Sequence, residues 1–170
     1  VAARGIVTWG VSLKSVVLYL LLLVGVHAIA VPDRALMESY CIDPVAIGYM
    51  YEQKQQPQQA IAWYRRSLEQ HPGDVRALHN LGHLAQEAGR IEDALELFRN
   101  ATVTAPDHSP SWNSLGVLLV PIDSLQALSS FQQAVKIDQG YTGAWINLGQ
   151  LLEGKGELQK ALDAYQRARL

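Results

Sequence analysis

Three side chains have the spacing of a metal-ligating helix face. His79, His83 and Glu87 stand at i, i+4 and i+8, which a 3.6-residue period places on one side of a helix. Two imidazoles so placed can hold zinc when further ligands are supplied. The stretch reads His-Asn-Leu-Gly-His, without the glutamate that acts as base in a His-Glu-x-x-His protease helix. A polar stripe explains the same residues with no metal, and it is the reading adopted here. Nothing else resembles a catalytic constellation. Serines such as Ser124 lack any motif around them, and the glycines fall in Leu-Gly pairs or turns rather than in a phosphate-cradling loop. The single cysteine, Cys41, cannot close an internal disulfide and belongs to no Cys-x-x-Cys pair. No cofactor, no metal and no catalytic activity are therefore expected.

Charge excludes a second class of function. The chain has 170 residues, a formal net charge of -2 and no Lys/Arg-rich run, so a groove that tracks nucleic-acid phosphates has no basis. Apolar residues make up 49%, and they are unevenly placed. Positions 15–32, SVVLYLLLLVGVHAIAVP, contain no charged residue, while the remainder alternates apolar and polar residues.

The uncharged block has two readings. Arg4 and Lys14 before it, an apolar core over 16–26 and Ala28-Ile29-Ala30 after it match a secretory signal peptide. A transmembrane helix needs roughly 20 residues to cross a hydrocarbon layer of about 30 Å. Extended back to Trp9, the block is long enough, with Trp9 as an interfacial anchor and Lys14 snorkelling outward. We take residues 1–32 as a single membrane anchor, with Trp9, Val16, Leu20, Leu23 and Val26 among its lipid-facing candidates. An uncleaved signal peptide and a hydrophobic core helix are the rivals. Arg4 and Lys14 precede the block and only Arg34 follows closely, so the positive-inside rule puts the rest of the chain on the outer side, periplasmic or lumenal. Residues 33–42 read as a short linker or helix.

The positions of the polar candidates follow from a repeat. His79-Asn80-Leu81-Gly82, Asn113-Ser114-Leu115-Gly116 and Ile146-Asn147-Leu148-Gly149 recur at intervals of 34 and 33 residues. A second pattern recurs in step: Ala60, Tyr64, Ser67; Ala94, Phe98, Ala101; Ala127, Phe131, Ala134; Ala161, Tyr165, Ala168. Each triplet has spacings of four and three, so it occupies one helical face. Internal periods of this length indicate a solenoid of helix pairs.

On these residues the chain resembles the tetratricopeptide-repeat family from about Cys41 to Leu170. Its pattern of Leu-Gly followed by Ala, Phe/Tyr, Ala and Pro is matched four times in tandem. The resemblance implies an all-α solenoid of four helix-turn-helix repeats at about 41–74, 75–108, 109–141 and 142–170, together a domain over 43–170 behind the transmembrane helix. Glycine and alanine are expected where the two helices of a repeat cross closely, with proline ending the second helix. The departures are local. Pro44 stands where the first repeat should have a large apolar residue, with Asp43 as N-cap. The third repeat is one residue short, with Pro121 in its inter-helix turn, and Gln139 replaces the usual proline. After the fourth helix pair no polar capping helix follows, so either the protein continues or a partner covers that end.

In that family the first helices of the repeats line a concave surface that takes peptides or partner helices. The resemblance places Val45, Tyr49 and Glu52 there from the first repeat, and Arg76, His79, Asn80, His83 and Gln86 from the second. Asn113, Ser114 and Val117 come from the third, and Ile146, Asn147, Gln150 and Glu153 from the fourth. Asn80, Ser114 and Asn147 share one repeat position, where carboxamides can both donate to and accept from peptide backbone; the alternative is that they stay solvated. The Lys/Arg set that clamps a C-terminal carboxylate is absent, since Arg76 stands alone. The function expected is a membrane-anchored interaction scaffold or accessory subunit of a larger membrane complex, its partners protein subunits and, through the anchor, lipid. Two alternatives stand beside it: a peptide-binding assembly or maturation factor, and the repeat portion of a larger enzyme such as a glycosyltransferase.

Overall fold

The computed structural model describes residues 43–169, which form eight α-helices and no strands. The expected anchor with Trp9, Val16, Leu20, Leu23 and Val26, the linker and Leu170 lie outside the described residues. Within the described residues no helix is long and apolar enough to cross a membrane.

The helices are α1 (Pro44–Gln53), α2 (Pro57–Gln70), α3 (Val75–Glu87), α4 (Ile91–Thr104), α5 (Ser109–Leu119), α6 (Ser124–Ile137), α7 (Thr142–Gly154) and α8 (Leu158–Ala168). They pack in antiparallel pairs, α1 on α2 through α7 on α8, and the second helix of each pair also contacts the first helix of the next. Pro44 opens α1, and the Asp43 carboxylate accepts a hydrogen bond from the Val45 N–H at 3.0 Å. Proline fits there because its missing N–H is one that the first turn leaves unpaired anyway.

One crossing recurs in all four pairs. Tyr64, Phe98, Phe131 and Tyr165 lay their rings over Gly48, Gly82, Gly116 and Gly149, where an added Cβ would come within 2.4, 2.6, 2.6 and 2.5 Å of the ring. Real Cβ atoms do not approach so closely, so the glycine is required by the ring. Ala60, Ala94, Ala127 and Ala161 lie buried beside the same contact. The apolar core runs in two clusters, one through the first two repeats and one through the last three, and Leu97 packs against both.

The missing residue of the third repeat is located by the turns. In the other three repeats the turn between paired helices contains one residue of positive φ, Gln55 (57°), Gly89 (72°) or Gly156 (77°). There the Gln56, Arg90 and Glu157 N–H groups reach back to the carbonyls of Tyr51, Ala85 and Leu152, the hydrogen bond of a Schellman motif. The third repeat omits the left-handed residue. Its chain turns through Val120-Pro121-Ile122, and Asp123 caps α6 by accepting from the Leu125 and Gln126 N–H groups, each at 3.0 Å. A proline has no N–H to contribute to the motif that was lost.

Candidate functional site

The first helices of the four repeats, α1, α3, α5 and α7, carry the groove candidates; Val45 among them is buried in the core of the first two repeats rather than open on the surface. Polar side chains join the face of these helices from repeat to repeat by a simple rule. The residue two before the repeat glycine bonds to the residue three before the glycine of the preceding repeat. Asn147 Nδ2 donates to Asn113 Oδ1 at 2.9 Å, and Ser114 Oγ lies 3.3 Å from His79 Nε2. Ser114 is also 3.4 Å from His83 Nε2, and Asn113 Nδ2 is 3.5 Å from the Tyr141 hydroxyl. Asn80 stands beside the Tyr64 hydroxyl and His79. The Asn–Ser–Asn row is thus partly engaged within the protein. Each carboxamide keeps unused hydrogen-bonding capacity, because it carries two donor hydrogens and two acceptor lone pairs.

Two further candidates are held internally. The Glu52 carboxylate accepts from the Tyr64 hydroxyl at 2.7 Å, and Glu153 accepts from Tyr165 at the same distance. Burial, with Glu52 adding to it, pushes the Tyr64 hydroxyl far above the ordinary phenol range. The two middle repeats carry Phe98 and Phe131 in place of tyrosine, and there the glutamate position holds Gln86 and Val120. Ring hydroxyl and carboxylate therefore come and go together. Arg76 is likewise occupied: its guanidinium pairs with Asp43 and Asp74, the caps of α1 and α3. Burial works against the Asp74 carboxylate, but hydrogen bonds from Arg76 and Ser67 outweigh it and hold Asp74 below the usual range. These engagements draw Glu52 and Arg76 into the scaffold as well as onto its surface.

What remains open on this face is largely uncharged. Tyr49 is 55% exposed, Val117 38% and Ile146 39%, and Gln150 is exposed. His79 and His83 are half-buried and face Ser114, while Glu87 is exposed at the end of α3. Among the described residues no three His, Cys, Asp or Glu side chains are grouped to hold a metal ion.

Three features escaped sequence reasoning. His108 closes on His79 with ring centroids 5.3 Å apart, a contact 29 residues distant in the chain. The two Tyr–Glu bonds were legible in principle, since each spans 12 residues and is replaced as a pair elsewhere. Trp112 and Trp145 donate their indole N–H to the carbonyls of Pro106 and Gln139 at 3.0 and 2.8 Å, so the tryptophans tie the inter-repeat turn as well as filling space.

Comparison with known proteins agrees with this architecture. Two sequence models, both described as Tetratricopeptide repeat, match residues 52–116 and 123–170. The tetratricopeptide repeat-containing protein trd-1 of Caenorhabditis elegans is 24% identical over 123 residues, covering 72% of this chain and 16% of that protein. The chloroplastic tetratricopeptide repeat domain-containing protein PYG7 of Arabidopsis thaliana is 43% identical over 61 residues, 35% of this chain and 20% of that one. Among solved structures, MamA superposes with a TM-score of 0.63 at 28% identity, covering 72% of each chain. The chain spans only 13–24% of the length of the first four curated relatives it matches. Repeats of this kind are generally non-catalytic and mediate protein–protein interaction. With the glycine-under-aromatic crossing present in all four helix pairs and the sequence models covering most of it, the chain belongs to the tetratricopeptide-repeat family.

Proposed function

We propose that this protein is a membrane-anchored scaffold or accessory subunit that docks partner subunits of a membrane complex on the face of α1, α3, α5 and α7, its A helices. The observation that carries the docking part is an open surface across four repeats whose charges are engaged internally, leaving Tyr49, Val117 and Ile146 exposed between carboxamides. Apolar side chains among amide groups suit an uncharged peptide segment or the apolar stripe of a partner helix. The membrane part is supported by the sequence: the uncharged block 15–32 with Trp9 and Lys14 ahead of it, which would place the repeats on the outer side.

Purification in mild detergent and identification of the co-purifying chains tests the reading. A defined partner should be retained, and it should be lost from a Tyr49→Ala/Val117→Ala/Ile146→Ala variant of unchanged helicity. A monomer with no partner, or a partner indifferent to the three substitutions, sinks it. Transient client binding in the same groove is a second reading, favoured by the free capacity of Asn80. Replacing Asn80 with alanine would then weaken client binding selectively.

A further inference from the structure

The junction between the second and third repeats is built differently from the one that follows it. His79 and His83 lie one turn apart on α3 with their rings T-shaped at 4.6 Å, and His108, just before α5, meets His79 at 5.3 Å. Phe98 of α4 packs against the first two at 5.6 and 5.4 Å. From α5, buried Ser114 bridges the Nε2 atoms of His79 and His83, and buried Ser111 lies 2.8 Å from His108 Nδ1. A hydroxyl has one proton to give. It serves both imidazoles by donating to one unprotonated nitrogen and accepting from the N–H of the other.

We propose that this cluster is an acid-operated latch, clipping α3 to α5 while the imidazoles are neutral and releasing the junction when they are protonated. Protonating the accepting ring makes it a second donor to Ser114 and places a cation among two other imidazoles. The titratable groups facing His79 are His83 on its own helix and His108 from the start of α5; α4 contributes the uncharged Phe98. Hydrogen bonds to Asn80 and to the Pro110 backbone favour the charged ring but do not outweigh burial and the two imidazoles. Glu87 lies one turn further along α3 in solvent, and Asp107 acts on His108. Among the described residues no carboxylate forms an ion pair with any of the three. Burial first, then His83 and His108, lowers the His79 pKa to about 4, and burial lowers His108 as well.

The next junction supplies the control. There the equivalent of His79 is Asn113 and the equivalent of Ser114 is Asn147, bonded to each other at 2.9 Å; the Tyr141 hydroxyl beside Asn113 is held above the ordinary phenol range by burial, so it does not titrate in acid. His79→Asn/Ser114→Asn therefore installs the protein's own pH-indifferent rung in the earlier junction. In a repeat array stability is close to a sum of repeat and interface contributions, so a weakened interface registers in unfolding. The sign is set by a pKa lower in the folded state than the ordinary value of about 6.5. The stabilisation is present above that value and disappears as pH falls towards 4. Any reshaping of the A-helix face that follows rests on the groove reading above; the latch itself does not.

The test is urea unfolding of the full chain in mild detergent at pH 7 and pH 4.5, wild type against the double variant. The unfolding constant of the wild type should rise on the order of fifty-fold more than that of the variant. Parallel pH profiles overturn the proposal. Should the variant fail to fold, an NMR titration of the wild-type imidazoles decides: a His79 midpoint below about 5 supports the latch, and one near the ordinary value of about 6.5 overturns it.

Discussion

Replacing Gly82 with alanine probes the contact on which every repeat depends. The added Cβ would lie 2.6 Å from Phe98 Cε1 and 2.9 Å from both Cδ1 and Cζ. The Phe98 ring is 0% exposed, so it cannot swing aside without displacing its neighbours. Overpacking of this kind costs about 1–3 kcal/mol, while the better helix propensity of alanine returns about 1 kcal/mol. The net loss should be about 0–2 kcal/mol, against the ~5–15 kcal/mol that stabilises an ordinary domain. Gly154 is the matched control, since it ends α7 and a Cβ there meets nothing within 4 Å. Gly154→Ala should be neutral or stabilising by up to about 1 kcal/mol. A smaller ring position should relieve the clash. In a Phe98→Leu background Gly82→Ala should cost at least ~1 kcal/mol less than in the wild type, read as a coupling energy from urea unfolding of the four variants. If Gly82→Ala matches Gly154→Ala, or if the cycle is additive, the ring does not dictate the glycine and the packing argument fails.

Three smaller predictions concern the turns. Gly89→Ala forces a side chain into φ +72° and should destabilise by about 1–2 kcal/mol in chemical denaturation; an unchanged midpoint would argue against the Schellman turn. Gln139→Pro should be tolerated or stabilising by about 0.4–1 kcal/mol. The preceding Asp138 has φ -127° and ψ 99°, matching His71 and Ala105 before Pro72 and Pro106, and such extended backbone is what a following proline requires. A marked loss of stability would show that the Gln139 N–H has a role the hydrogen bonds do not reveal. Trp145→Phe keeps most of the ring but removes the bond to the Gln139 carbonyl, and should cost about 0.5–1.5 kcal/mol by thermal or urea unfolding.

The helix pairs were legible because their determinants are local. Leu-Gly in one helix and Ala, aromatic, Ala in the next repeat at fixed spacing, and each residue type follows from a single close crossing. The short third repeat was equally visible at Pro121, although only the backbone shows that the residue omitted is the left-handed one. Gln139 looked like a defect and is not one, because Trp145 uses the carbonyl at that position and a carbonyl is present whatever the side chain.

The candidate site was less legible, since its chemistry depends on who neighbours whom between repeats. Arg76 reads from sequence as a lone groove cation, yet Asp43, 33 residues away, reaches it across two helix caps. Glu52 reads as an open acid until the Tyr64 hydroxyl is found on it. The asparagine row appears as a ladder of equivalents at Asn80, Ser114 and Asn147. The bonds instead run diagonally, from Asn147 to Asn113 and from Ser114 to His79. Periodicity identifies which residues share a position, whereas a diagonal contact needs the packing.

If a protein partner sits on the face of α1, α3, α5 and α7, side chains on that face lie within cross-linking reach of it. A photo-crosslinking residue placed singly at Tyr49, Val117, Ile146 and, on the second helices of the pairs, at the exposed Val103 and Gln132 tests it in vivo. The first three positions should each cross-link to the same partner polypeptide and the last two should not. Cross-links confined to Val103 and Gln132, or equal from all five positions, would contradict that placement.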